Sequence, residues 1–196
     1  MKQILMTAVA ALLLSACADQ SSRIIIMANG DIEIDGNKVT VKPGSSHAEQ
    51  ELTTNEKEVI VSNAGSTQNF PIPAQAVYIL NVKKDTVAGS FQRTGESASQ
   101  QVISQQELAV RIDSLNDLIA GRNVSAEKRN FNVPPGQLVK ITNNMKARIV
   151  GPFMKIPSNL QGGADFELYK FYSGSELREI ISRLRKMQDS TLVAPE

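Results

Sequence analysis

The chain has 196 residues, 21 basic and 20 acidic, with six Phe, three Tyr, no Trp, one His and one Cys. So even a charge balance excludes the basic footprint of a nucleic-acid-binding protein, and one His with one Cys cannot assemble a transition-metal site of three or four such ligands. The length allows one medium domain or two small ones with real cores.

Residues 1 to 16 carry one positive charge, Lys2, followed by an apolar run that ends in Leu14-Ser15-Ala16 before Cys17. This is the layout of a secretory signal peptide. The run meets Asp19 and Gln20 too soon for a membrane span, which needs about 20 apolar residues. Leu14-Ser15-Ala16-Cys17 resembles the lipobox of bacterial lipoproteins. The resemblance implies that Cys17 is lipidated, that the signal is cut before it, and that the mature N-terminus carries about three acyl chains, enough for stable anchoring. It also accounts for a single cysteine in an exported chain, which has no internal disulfide partner. Loss of Lys2 with the signal leaves 20 basic against 20 acidic residues.

Residues 17–23 read as the lipidated cysteine and a short polar tether. Its six residues after the cysteine span at most about 20 Å, so the folded part is expected close to a bilayer. Ala18, rather than Asp, follows the cysteine; by resemblance to diderm lipoproteins this favours the outer over the inner membrane.

Residues 24–93 read as an antiparallel β module, a sandwich or open barrel. Ile24 to Met27, then Ile32 and Ile34, then Val39 and Val41 alternate with polar residues around Asn29-Gly30 and Gly36-Asn37, which predicts a three-stranded meander. Pro43-Gly44 is expected to end it, and Ser45 to Asn55 to form a polar connection. Further strands are expected at 58–61, 69–72, 76–82 and 87–92, with Pro71 and Pro73 marking an edge.

Residues 94–100 have the makeup of a linker. Residues 101–187 read as a small α+β half with two amphipathic helices, so the fold class is β-rich α+β. Ser104 and Glu107 form one capping box, and Ser173 and Glu176 a second. Leu108, Ile112, Leu115 and Ile119 follow the first at helical spacing, with Gly121 able to end that helix. Strands are expected at 130–133, 138–141, 147–150 and 166–172, and a frayed tail at 188–196. The two halves are either contiguous subdomains or parts sharing one core.

Chemistry-bearing residues are few. Ser46-His47 offers a Ser-His pair, but adjacent residues do not build a triad, so His47 reads as an exposed loop residue and no catalytic residue is assigned. Asp31, Glu33 and Asp35 share one strand face, about 7 Å apart at successive positions. That is too wide for a compact calcium shell, and Lys38 and Lys42 opposite suit ion pairing. No metal or other cofactor is expected. Asp85-Thr86-Val87, Asp113-Ser114-Leu115 and Asp189-Ser190-Thr191 resemble the short O-glycosylation motif of exported Bacteroidota proteins.

Tyr169, Phe171 and Tyr172, beside a Gly/Pro-rich connection, lie on a strand that is either buried on both faces, the reading the following helix favours, or turned on one face toward a partner. Arg178, Arg183, Arg185 and Lys186 on the last helix read first as a solvated basic face and, with those aromatics, form the candidate partner surface. The resulting expectation is a lipid-anchored envelope protein that binds, scaffolds or serves as an accessory subunit. Its partners are the membrane, through the lipid, and an envelope protein or glycan, with no nucleic acid. The rival reading is an envelope hydrolase acting on glycan or peptide through carboxylates that the sequence does not group.

Overall fold

The computed structural model describes residues 21–92, 104–157 and 166–192. The signal, Cys17 and the linker at 94–100 lie outside these residues. The fold is β-rich α+β, as expected. Its strands are β1 (Ser22–Asp35), β2 (Lys38–Thr54), β3 (Glu58–Asn63), β4 (Ser66–Pro71), β5 (Val77–Asn81), β6 (Val87–Gln92), β7 (Asn130–Val133), β8 (Gln137–Thr142), β9 (Arg148–Val150) and β10 (Leu168–Ser173). Helix α1 spans Gln105–Ile119 and α2 spans Gly174–Leu192.

A six-stranded, nearly closed sheet runs β4-β3-β2-β1-β5-β8, and a second sheet runs β7-β6-β10-β9. Three pairings are parallel, β1 with β5, β2 with β3 and β9 with β10, so the sheets are mixed where an antiparallel module was expected. Strand β8 comes from the second half of the chain but closes the first sheet, while β6 comes from the first half but sits in the second. The two halves therefore exchange strands and share their cores.

The expected meander is one long hairpin. Only Gly36-Asn37 turns; at Asn29-Gly30 the chain runs on, with a bulge in the ladder. The segment 47–54, read as a connection, pairs residue by residue with Ser22 to Asn29. Because β1 begins at Ser22, the tether expected to reach residue 23 ends before it. Asp31 faces Lys42 and Asp35 faces Lys38 on an exposed surface, and Lys42 forms an ion pair with Glu33.

Two central strands carry the architecture. In β1, Ile24, Ile26 and Ala28 enter one core with Val39, Val59, Tyr78 and Leu80, inside the curl of the first sheet. Ile25 and Met27 point the other way and join Ile79, Val133, Tyr169 and Phe171 between the two sheets. Strand side chains alternate faces, so a run of buried aliphatic residues marks a strand covered on both sides. A third cluster, of Ala88, Leu118 and Leu177, seats both helices on the outer face of the second sheet.

Both capping boxes form. Ser104 Oγ accepts from Glu107 N, and Ser104 N donates to Glu107 Oε2 at 2.8 Å. Ser173 N donates to Glu176 Oε2 at 2.8 Å, and Ser173 Oγ accepts from Glu176 N at 3.2 Å. Helix α2 continues to Leu192, through the first part of the tail expected to fray. Replacing a capping serine removes a partner from a first-turn amide. Ser173→Ala is expected to cost about 1 kcal/mol in urea unfolding, and an unchanged midpoint would contradict the cap's role.

Candidate functional site

The residues expected to form one partner surface are divided between the interior and the outside. Tyr169 and Phe171 are 2% and 0% exposed and belong to the core between the sheets. The strand is therefore buried on both faces, the favoured of the two expectations, and Tyr169 and Phe171 drop out of the candidate partner surface: α2 covers one face of β10 and the first sheet covers the other. Tyr172 is half-buried under the helices, with Lys170 Nζ 4.7 Å from its ring centre. Arg178, Arg183, Arg185 and Lys186 are exposed along α2. Arg183 pairs with Glu179 at 3.5 Å, whereas Arg178, Arg185 and Lys186 line a shallow groove against α1 that also holds Asp189.

A different set of residues converges at the β1/β2 bulge. Gly44, Ser45 and Ser46 stand between Pro43, which faces Gly30, and His47, which faces Asn29. His47 is not on a loop: it lies in β2, its side chain only 14% exposed. Its Nε2 donates to Glu49 Oε1 at 2.6 Å, and Nδ1 is buried with no hydrogen-bond partner among the described residues. The period-two spacing that aligns His47 with Glu49 is that of the strand itself.

The connection after β9 closes over this pair. Gly151 packs so tightly on Glu49 that a Cβ at residue 151 would stand 1.6 Å from Glu49 Oε1. Lys170 donates through Nζ to the carbonyl of Gly151. Burial pushes the Lys170 ammonium below the ordinary lysine range, while the charges of Glu176 and Glu49 oppose that shift. Glu176 also fixes the loop, because its Oε1 accepts from Phe153 N at 2.7 Å while its other oxygen caps α2. One carboxylate thus joins a helix start to a loop.

Phe153 is held at φ +63° with 59% of its surface exposed. Its ring meets His47 edge-on at 5.6 Å between centres, and Lys83 Nζ lies 5.6 Å from its centre. Lys83 follows β5, and its side chain is only 3% exposed, 3.5 Å from Asp85. Together these residues border a cleft of about 550 Å³, with Asn29, Ser45 and Ser175 on its wall. The wall is chiefly polar, carries one cation and one carboxylate, and offers an open aromatic ring.

Comparison with protein-family models, curated proteins and solved structures finds no match to this chain. The cleft is therefore interpreted from its own chemistry. Among the described residues, no three His, Cys, Asp or Glu side chains gather as a metal site. In the sequence, His47 reads as a loop residue, Asn29 as part of a turn, Ser45 as the start of a polar connection, Asp85 as part of a glycosylation-like motif and Glu176 as a helix cap, and nothing there joins them into one site. Lys83 and Phe153 carry no local signal, although the Gly151-Pro152 pair before Phe153 marks a chain forced into a close turn.

Lys170 gives the cleft's support a pH signature. A lysine with a lowered folded pKa binds fewer protons folded than unfolded between the two pKa values, so stability rises with pH across that window. The window runs from the lowered folded value up to the ordinary 10.5. Urea midpoints of Lys170→Met should lack this rise, the variant falling progressively behind the parent as pH climbs. Parallel curves for the two proteins would refute it. Tyr169 and Tyr172, whose burial raises their pKa values, titrate in both proteins and cancel in the difference.

Proposed function

We propose that this is a lipid-anchored cell-envelope protein, held in the outer membrane through Cys17, with a binding or accessory role exerted through the cleft at the β1/β2 bulge. The observation that carries the binding role is the pairing of a nearly buried ammonium, Lys83, with an exposed ring, Phe153, on the wall of one cleft. In binding sites a few precisely placed polar groups fix a ligand's orientation beside an aromatic surface. Hydrolysis is less well supported. Nucleophilic catalysis needs a base facing a nucleophile, whereas His47 spends Nε2 on Glu49 and has Nδ1 buried.

Support for the anchor is the lipobox, together with the start of β1 at Ser22. Only residues 18–21 then separate lipid from sheet, a reach of about 13 Å. Cys17→Ser should move the protein from the membrane pellet to the soluble fraction and abolish incorporation of a labelled fatty acid. Retention in the pellet without label would overturn the anchor. Photo-cross-linking in intact envelope from a probe at Met154, on the cleft wall, tests the binding role; absence of any adduct, together with a hydrolase activity lost in His47→Ala, would overturn it.

A further inference from the structure

We propose that the cleft is a saccharide site for a neutral pyranose unit, stacked on Phe153 with its hydroxyls bridging Lys83 and Asp85. This deepens the binding role proposed above and rests on it.

The first observation is where backbone strain has been placed. A non-glycine residue in the left-handed region is strained and persists only when its surroundings impose it. At Phe153 they do: Glu176 holds its N–H, and Gly151 two residues earlier fits against Glu49 as no side chain would allow. Yet the ring so placed is 59% exposed, so it gains little burial in return. What the strain achieves is an aromatic face aimed into a cleft.

The second observation is the spacing of the charges beside it. Lys83 Nζ and Asp85 Oδ1 are 3.5 Å apart, longer than a good charged hydrogen bond. A hydroxyl is at once donor and acceptor, so it can accept from the ammonium and donate to the carboxylate, whereas an ionised carboxylate can only accept and a phosphate would bring net negative charge against Asp85. Asn29, Ser45 and Ser175 add amide and hydroxyl groups of both kinds. With one cation and one anion on the wall, the field offers no net attraction to an anionic ligand. A neutral polyol with an apolar ring face fits both the stacking surface and the mixed donors and acceptors. The volume, about 550 Å³, falls within the range of small-molecule sites.

The position suits an envelope glycan. Asn29 lies seven residues along β1 from Ser22, about 23 Å at strand rise. Anchored through Cys17, the protein would hold the cleft clear of the bilayer surface.

The test uses the detergent-solubilised lipidated protein and titration calorimetry with glucose, galactose, mannose, N-acetylglucosamine and their disaccharides, alongside galacturonate and inorganic phosphate. At least one neutral sugar is expected to bind, with affinity falling about tenfold or more in Phe153→Ala and in Asp85→Asn, and surviving in Phe153→Tyr. Because Phe153 is 59% exposed, unfolding of Phe153→Ala should stay close to the parent's midpoint, separating loss of binding from loss of fold. Three results would each overturn the proposal: no neutral sugar binding up to about 10 mM, galacturonate or phosphate binding as well as any neutral sugar, or full affinity in Phe153→Ala. A Met154 cross-link to an envelope protein without any sugar binding would defeat the saccharide assignment while leaving the binding role intact. Failure of both measurements would defeat both.

Discussion

Gly30→Ala should destabilise the protein by on the order of 3 kcal/mol, combining backbone strain with a forced clash. Gly30 sits at φ +108°, and a Cβ there would stand 2.0 Å from the Lys42 carbonyl oxygen and 2.5 Å from Gly44 N. Both are backbone atoms of the partner strand, so relief requires opening the ladder at the bulge. Gly36, in the hairpin turn, provides the control. It too has positive φ, +59°, but nothing lies within 4 Å of its would-be Cβ. Gly36→Ala should therefore cost only the left-handed penalty, about 1 to 2 kcal/mol. Chemical denaturation of the two variants decides the matter, and equal losses would mean that the bulge is not tightly packed. Gly30→Ala should also displace His47, because the bulge sets where β2 resumes pairing.

That bulge explains the largest departure from the sequence reading. Asn-Gly between alternating aliphatic residues is a strong hairpin signal, and at Asn29-Gly30 it marks a different use of positive φ, a kink within a continuing strand. The partner segment was hidden for a related reason. His47, Glu49 and Glu51 alternate with Ala48, Gln50 and Leu52, and of the second set only Leu52 is a large aliphatic residue. The period is present, but polarity obscures it. By contrast, the aliphatic run from Ile24 to Met27, both capping boxes and the proline-marked edge at Pro71 were legible, because each rests on residues near one another in sequence.

The cleft was not legible, since its groups come from distant segments. His47 lies in β2, Lys83 between β5 and β6, Phe153 after β9 and Glu176 at the start of α2. Their proximity depends on the exchange of strands between the two halves, which no local pattern reports. The sequence instead draws the eye to aromatic density between Phe166 and Tyr172, which leaves core and partner surface as alternatives. Density of aromatic residues is shared by cores and interfaces. The alternation of β10 shows only that both faces are apolar, and the layers above and below decide which is covered.

Phe171→Ala measures that decision directly. A surface aromatic residue would cost well under about 1 kcal/mol on truncation, whereas Phe171 is fully buried and is expected to cost about 3 to 5 kcal/mol. Its ring lies 6.3 Å from that of Phe131 and faces Gly89 across the β6/β10 pair. The absence of a side chain at Gly89 is what admits it: a Cβ there would come within 2.6 Å of the Phe171 ring and 2.4 Å of the Lys170 carbonyl oxygen. Gly89→Ala is accordingly expected to destabilise through overpacking, by about 1 to 3 kcal/mol, at the same point where Phe171→Ala destabilises through a cavity. Opposite volume changes giving losses of the same sign is the mark of a close-packed interior. The effect should reach the cleft, because Lys170, next to Phe171 in β10, donates to the Gly151 carbonyl that positions the Phe153 loop. If urea midpoints for Phe171→Ala match the parent's, β10 is not the inner strand of a layered core and the packing described for the second sheet fails.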